Sequence, residues 1–304
     1  MWLLLAFMSA TLLGFYDSFK KKSLKDNAVI PVLFINTVIC SLIFLPLIVL
    51  SATGTLPSSC PFHVGGGGWE MHRYVILKSV IVLSSWLAGY IGMKHLPLTI
   101  VGPINATRPV MVLIGALLVY GERLNAWQWA GVAVAVASFF LLSRSGKKEG
   151  INFAHDKWIG CIVLAAILGA VSGLYDKYLM ASPSDGGVGL DRMAVQSWYN
   201  IYQSAMMLLM LAIIWFPRRK ADRFHWSWSI IGISIFLSAA DFLYFYALSL
   251  PSAMISIISM VRRSSVLVSF LFGAIFFHER NLKGKAIDLS LVLLSMILLF
   301  IGSK

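Results

Sequence analysis

Ten apolar runs, each long enough to cross a bilayer, dominate this chain. A membrane-spanning helix needs ~20 mostly apolar residues. Such runs lie at about 2–20, 28–50, 74–94, 97–119, 126–143, 157–179, 194–216, 228–248, 252–277 and 284–302. Composition closes off the soluble alternative. Of 304 residues, 59% are hydrophobic and 12% charged, against about 25% charged in an average soluble domain. A water-facing surface cannot be built from so few charges. The expected fold is an all-α polytopic membrane protein, multi-pass in the plasma (inner) membrane, with the lipid bilayer around it. The first run opens Met1-Trp2 with no charged n-region and no small-residue cleavage site after it, so it reads as a retained helix. Linkers are short apart from 51–73 and 180–193. The first of these holds Pro57, Pro61 and four glycines at 65–68 and reads as a flexible loop.

The two halves of the chain repeat each other. Gly14-Phe15-Tyr16-Asp17 in run 1 matches Gly173-Leu174-Tyr175-Asp176 in run 6. Asn36 matches Asn200, and Tyr90 before Leu96-Pro97 matches Tyr244 before Leu250-Pro251. On that register Arg108 falls opposite Arg262, and Gly121-Glu122-Arg123-Leu124 aligns with His278-Glu279-Arg280-Asn281. Five matches in one order are hard to obtain by chance. Each repeat holds five helices, so the second enters the membrane from the opposite side. The expected organisation is two inverted-topology five-helix repeats, 1–149 and 150–304. Secondary transporters are built this way, with substrate held near the midplane between the halves.

The residues Leu96-Pro97-Leu98-Thr99-Ile100, Gly121-Glu122-Arg123-Leu124 and Trp127-Gln128-Trp129-Ala130-Gly131, with Tyr244-Phe245-Tyr246-Ala247-Leu248 and His278-Glu279-Arg280 in the second half, carry a resemblance. The chain resembles the EamA-type branch of the drug/metabolite transporter superfamily. The resemblance implies a ten-helix exporter or exchanger of small metabolites with helices 5 and 10 peripheral. It leaves the solute open among amino acids, drugs and sugar-related compounds.

Charges inside apolar runs are the first functional candidates, because each costs ~2.5–3.5 kcal/mol at helix centre. Arg108 lies mid-run 4, and Arg262 and Arg263 mid-run 9. Arginine cannot shed its proton, so each needs a carboxylate, carbonyls, water or an anionic ligand. Guanidinium grips carboxylate or phosphate through a bidentate fork, which favours an anionic or zwitterionic substrate between the repeat mates Arg108 and Arg262. The stretch 260–269 also resembles the helix of plastid phosphate translocators in which a Lys-Arg pair holds phosphate; here the pair is Arg-Arg. The competing expectation is internal pairing with Asp241 or Glu279. Two adjacent arginines point ~100° apart on a helix, so at least one of Arg262 and Arg263 needs a structural partner. Asp241 itself could carry a coupling proton, bind a substrate amine, or neutralise an arginine.

Tyr16 with Asp17, and Tyr175 with Asp176, are gate candidates expected at opposite mouths of a cavity. Local pairing with Lys20 and Lys21, or with Lys177, is the plainer alternative. Asn36, Asn200, Gln196 and Gln203 could orient substrate or bond helices together. Among aromatics, Trp86, Tyr90 and Tyr244 are cavity candidates, whereas Trp198 and Tyr199 near a helix end suit an interfacial belt. Cys40, Cys60 and Cys161 imply no disulfide framework or zinc site. No HExxH, GxSxG or P-loop is present, so neither catalysis, a metal nor a cofactor is expected.

The net charge of +12 reports topology and not nucleic acid. Sixteen basic residues fall in the loops 1–2, 3–4, 5–6, 7–8 and 9–10, and six in the termini and remaining loops or helix ends. The positive-inside rule then puts both termini outside, whereas the family resemblance implies cytoplasmic termini. The leading expectation is a secondary transporter of a small anionic or zwitterionic metabolite such as an amino or organic acid. A proton-coupled exporter of cationic or apolar compounds centred on Asp241 is the alternative, and a non-transporting membrane protein the third. Proton coupling and a homodimer are left open.

Overall fold

A computed structural model describes residues 2–108, 110–112, 114–115, 125–147, 156–250, 258, 261–262, 264–276 and 282–302. Arg263, Glu279 and the motifs at 121–124 and 278–281 lie outside the described residues. Among those described the chain is helical, without strands. In order the helices are α1 Trp2–Leu24, α2 Val29–Ala52, α3 Trp69–His95, α4 Leu98–Ala106, α5 Ala126–Lys147, α6 Lys157–Met180, α7 Arg192–Met210, α8 Ser229–Ser249, α9 Ser265–Phe276 and α10 Leu282–Gly302. Each falls within or closely over one of the apolar runs. Six of them (α1, α2, α3, α6, α8, and α7 with its continuation to Arg218) are long and apolar enough to cross a membrane.

Helix boundaries follow local chemistry. Pro97 precedes α4 at φ −66°, a conformation proline supplies in advance. Asp156 caps α6 by accepting from the Trp158 N–H at 2.8 Å, and Asp191 caps α7 by accepting from the Ala194 N–H at 2.9 Å. At the end of α3 the Lys21 ammonium donates to the Met93 and Leu96 carbonyls at 2.8 and 2.6 Å, satisfying acceptors that a helix C-terminus leaves bare. A turn at Thr107, whose hydroxyl donates to the Ile104 carbonyl at 2.7 Å, ends α4. Arg108 follows directly.

The most extensive helix contacts are α1 with α8, α3 with α6, and α5 with α10; α2 packs on α7 and α4 on α9. Exchanging each helix for the one five places along turns α1–α8 into α6–α3 and returns the other three pairs to themselves. Close approach depends on glycine: a Cβ on Gly232 would meet the Phe19 ring at 2.8 Å, and one on Gly92 would meet Ile162 at 2.6 Å.

The surface is inverted relative to a soluble protein. Leu4, Ile213, Phe276 and Ile287 are exposed, while Ser79, Asn36, Gln203 and Ser234 are fully buried. A soluble fold exposes large apolar patches only rarely; in lipid the apolar exterior costs nothing. Trp69, Trp127, Trp129, Trp226 and Trp228 are exposed near helix ends, where amphipathic rings favour the membrane–water boundary.

Candidate functional site

A cavity of about 160 Å³ opens between α1, α3, α4, α6, α7, α8 and the segment leading into α9. Four cations, Lys20, Lys78, Arg108 and Arg262, and three carboxylates, Asp17, Asp176 and Asp241, line it. Each carboxylate has a cation. Lys20 bridges Asp17 at 2.8 Å, Lys78 bonds Asp176, and Arg262 bonds Asp241 through Nη2. Arg108 is left over.

Two of these pairs join through tyrosines into a closed ring. The Tyr244 hydroxyl donates to Asp176 Oδ2 at 3.4 Å while its ring lies 4.1 Å from the Arg262 guanidinium. The Tyr199 hydroxyl donates to Asp241 Oδ2 at 2.9 Å while its ring lies 5.2 Å from the Lys78 ammonium. Each tyrosine thus gives a proton to one pair and a π-face to the other. Helix spacing makes this compact: Asp241 and Tyr244, three apart on α8, share a face. Arg262 Nε also donates to Ser9 Oγ at 3.0 Å, and Ser9 donates to the Ala240 carbonyl at 2.7 Å. Lys78 is 3% exposed and Asp176 5%. Both charges are therefore held by partners and not by water, as burial requires.

On α1, Lys20 sits 4.3 Å from the Tyr16 ring and 5.2 Å from the Tyr90 ring, and Ser269 donates to Asp17 at 3.4 Å. Asp17 and Lys20 are three residues apart, so this pair is fixed by one helix. The Lys78–Asp176 pair instead ties α3 to α6.

Arg108 differs from the other cations. Its Nε is buried with no hydrogen-bond partner, and it makes no ion pair among the described residues. The guanidinium lies against α6, where a Cβ on Gly169 would meet Nη1 at 2.5 Å. The glycine therefore makes room for the charge. One turn earlier, Asn105 Oδ1 is also buried without a partner. Positions three apart lie on one helical face, so an unfilled donor and an unfilled acceptor stand together at the cavity wall.

Residues 1–144 match the EamA-like transporter family. A Sinorhizobium sp. protein described as an uncharacterized transporter in the cobO 3' region is 32% identical over 95 residues, 31% of this chain. The match covers 64% of that relative, less than two thirds of its length. A crystal structure with 12% identity aligns over 98% of this chain and 97% of its own at a TM-score of 0.66, a likeness of fold. The chain is accordingly a multi-pass integral membrane protein, consistent with the drug/metabolite transporter superfamily.

The cavity gathers Arg108, Arg262, Asp241, Trp86, Tyr244, Tyr16, Asp17 and Asp176 from the residues expected by sequence. It does not gather the rest. Tyr90 is fully buried behind it against Lys20. Asn36 and Asn200 pack among α2, α7 and α8, where Ser234 donates to Asn36 Oδ1 at 3.0 Å and Asn200 donates to the Gln196 carbonyl at 2.9 Å. Tyr175 stacks on Tyr178 and donates to the Tyr74 carbonyl at 3.3 Å.

Three residues of the cavity wall, Lys78, Tyr199 and Asn105, are not among the cavity candidates expected by sequence. Lys78 was grouped with basic residues of loops and helix ends, although it lies inside run 3; that position within an apolar run was the available signal. Lys20, the local partner expected for Asp17, bridges it and is 7% exposed. Tyr199, placed in an interfacial belt by its distance from the helix end, is buried on Asp241. Asn105 drew no notice because an uncharged amide is common in membrane helices.

Proposed function

We propose that this protein is a secondary transporter of a small anionic or zwitterionic metabolite, such as an amino or organic acid, working by alternating access. The observation that carries this reading is Arg108, a cation with no ion-pair partner among the described residues, at the wall of a cavity whose other described charges are paired. An unpaired buried charge costs several kcal/mol, and a substrate carboxylate would remove that cost. Asn105 Oδ1, one turn away, offers an acceptor for a substrate ammonium and suits a zwitterion. A cavity near 150 Å³ accepts a benzene-sized molecule, so 160 Å³ matches a solute of that scale.

The helix pairing supports two inverted repeats, 1–149 and 150–304, since exchanging the five-helix halves preserves it. In this reading the repeat mates Asp17 and Asp176, with Tyr16 and Tyr175 beside them, are gates at the two mouths, Asp17 locked within α1 by Lys20 and Asp176 locked across to α3 by Lys78. Arg262 is committed to Asp241 while the cavity is empty, leaving Arg108 as the resident anchor. The inner membrane is the compartment that fits a solute carrier of this family.

Proteoliposomes of the purified chain test this with radiolabelled succinate, L-alanine and phosphate. At least one is expected to be transported, with Arg108→Ala abolishing its uptake and Arg108→Lys keeping part. Normal uptake by folded Arg108→Ala ends the anion reading. Transport of apolar cations, lost in Asp241→Asn and indifferent to Arg108, would favour the exporter alternative.

A further inference from the structure

Arg262 is shared between two claims. It faces the same cavity as Arg108, yet its Nη2 is taken by Asp241 and its Nε by Ser9. An anion held by Arg108 that also takes the Nη2 edge of Arg262 competes with Asp241. We propose that Asp241 is a proton-binding site coupled to anion binding: the anion draws Arg262 away, and Asp241 takes up a proton in its place. This rests on the anion site proposed above.

The surroundings of Asp241 support this exchange. Once Arg262 turns to the substrate, the Tyr199 hydroxyl is the close donor left to Asp241 among the described residues. A buried carboxylate without a cation is costly and neutralises by taking a proton. The other ionisable groups that sense it are Tyr16 on α1, Cys40 on α2 and Asp176 on α6. Of these, Asp176 is already held by Lys78 from α3, so Lys78 cannot replace Arg262 without stranding a second carboxylate. Tyr244, on Asp241's own helix, donates to Asp176. The proton is the remaining neutraliser.

An independent feature supplies its route. Between α2, α7 and α8 lies a strip of buried polar atoms with no hydrogen-bond partner: Asn36 Nδ2, Gln196 Oε1, Ser197 Oγ, both amide atoms of Gln203, and Ser238 Oγ. Buried polar groups are ordinarily satisfied, and water is the usual partner of those that protein leaves open. The strip reaches Asp241 from two sides, since Ser238 is one turn before it on α8 and Gln196 one turn before Tyr199 on α7. Gln196 Nε2 donates to the Ser238 carbonyl at 3.3 Å and so joins the two helices. A proton from bulk water passes along this strip to the Asp241 carboxylate. When the anion leaves, Arg262 returns and the proton goes back to water.

The test uses the purified full chain in weakly buffered detergent at pH 7, with succinate, L-alanine and phosphate added in turn. Thermal shift reads binding, a pH dye reads proton uptake, and infrared difference spectra read carboxyl protonation. About one proton per bound anion is expected, with a new protonated-carboxyl band. Asp241→Asn should bind the anion more tightly and lose both the uptake and the band. Gln203→Leu should slow the uptake in stopped flow while anion stabilisation is retained. Binding by the wild type without proton uptake overturns the coupling and leaves the anion site standing. Stabilisation by none of the three anions overturns the anion site, and the coupling with it. The wild-type proton count and infrared band decide the matter even where Asp241→Asn fails to fold.

Discussion

Replacing Gly169 by alanine tests the role of Arg108 without removing its charge. The added methyl would sit 2.5 Å from Nη1, 2.6 Å from Cζ and 2.9 Å from Nε. Non-bonded atoms settle near 3.5 Å, so the guanidinium must retreat by about 1 Å. It is the far end of a flexible side chain, and alanine is the better helix former by ~1 kcal/mol, so the fold should be spared. The anion, however, loses alignment with one charged donor. A hydrogen bond to a charged group contributes ~1.5–3 kcal/mol, which at 1.4 kcal/mol per decade is a loss of roughly 10- to 150-fold in affinity. Titrating succinate, L-alanine or phosphate while following the thermal shift measures it, since ligand at about 100 times Kd stabilises by ~2.7 kcal/mol. Gly160→Ala on the same helix, with open space around its Cβ position, is the control. Unaltered affinity in Gly169→Ala, with the ligand-free melting temperature also unaltered, would refute the placement of the anion at Arg108.

The ring of ion pairs makes a stability prediction. Lys78→Met leaves Asp176 buried and uncompensated, which costs ~3–5 kcal/mol; the melting temperature in detergent should fall sharply, and Lys78→Met/Asp176→Leu should recover much of it. Equal losses in the single and double variants would count against the pair as the cause. Cys60 reports orientation, being partly exposed in the long segment between α2 and α3 while Cys40 is buried. The basic-residue count puts that segment outside, so a membrane-impermeant maleimide should label Cys60 in intact cells of a Cys161→Ser variant. Labelling only after lysis would reverse the orientation.

The helical architecture was legible because lipid imposes one rule: backbone polar groups must be satisfied within the segment. Each described helix accordingly falls on an apolar run. Internal matches such as Gly14 to Asp17 with Gly173 to Asp176 are the sequence's own argument for the two-repeat organisation proposed above. Arg108, Arg262 and Asp241 stood out for the same reason, as charges where lipid tolerates none. The sequence could not say which arginine was spoken for. Arg262 and Asp241 lie 21 residues apart, and Lys78 and Asp176 are separated by 98, so their pairing depends on how α3, α6 and α8 cross. Lys78 shows the limit most clearly: it lies near the edge of an apolar run but well inside α3, and packing against α6 buries it on Asp176.

What the sequence determined by itself was the solvent, the helix count to expect, and the short list of charges needing partners, because hydropathy and periodicity are properties of contiguous residues. What only the tertiary structure decided was the allocation of those partners. Three carboxylates are claimed by Lys20, Lys78 and Arg262, and Arg108 is left facing the cavity beside Gly169. Ion pairing acts over a few ångströms in space and takes no account of distance along the chain.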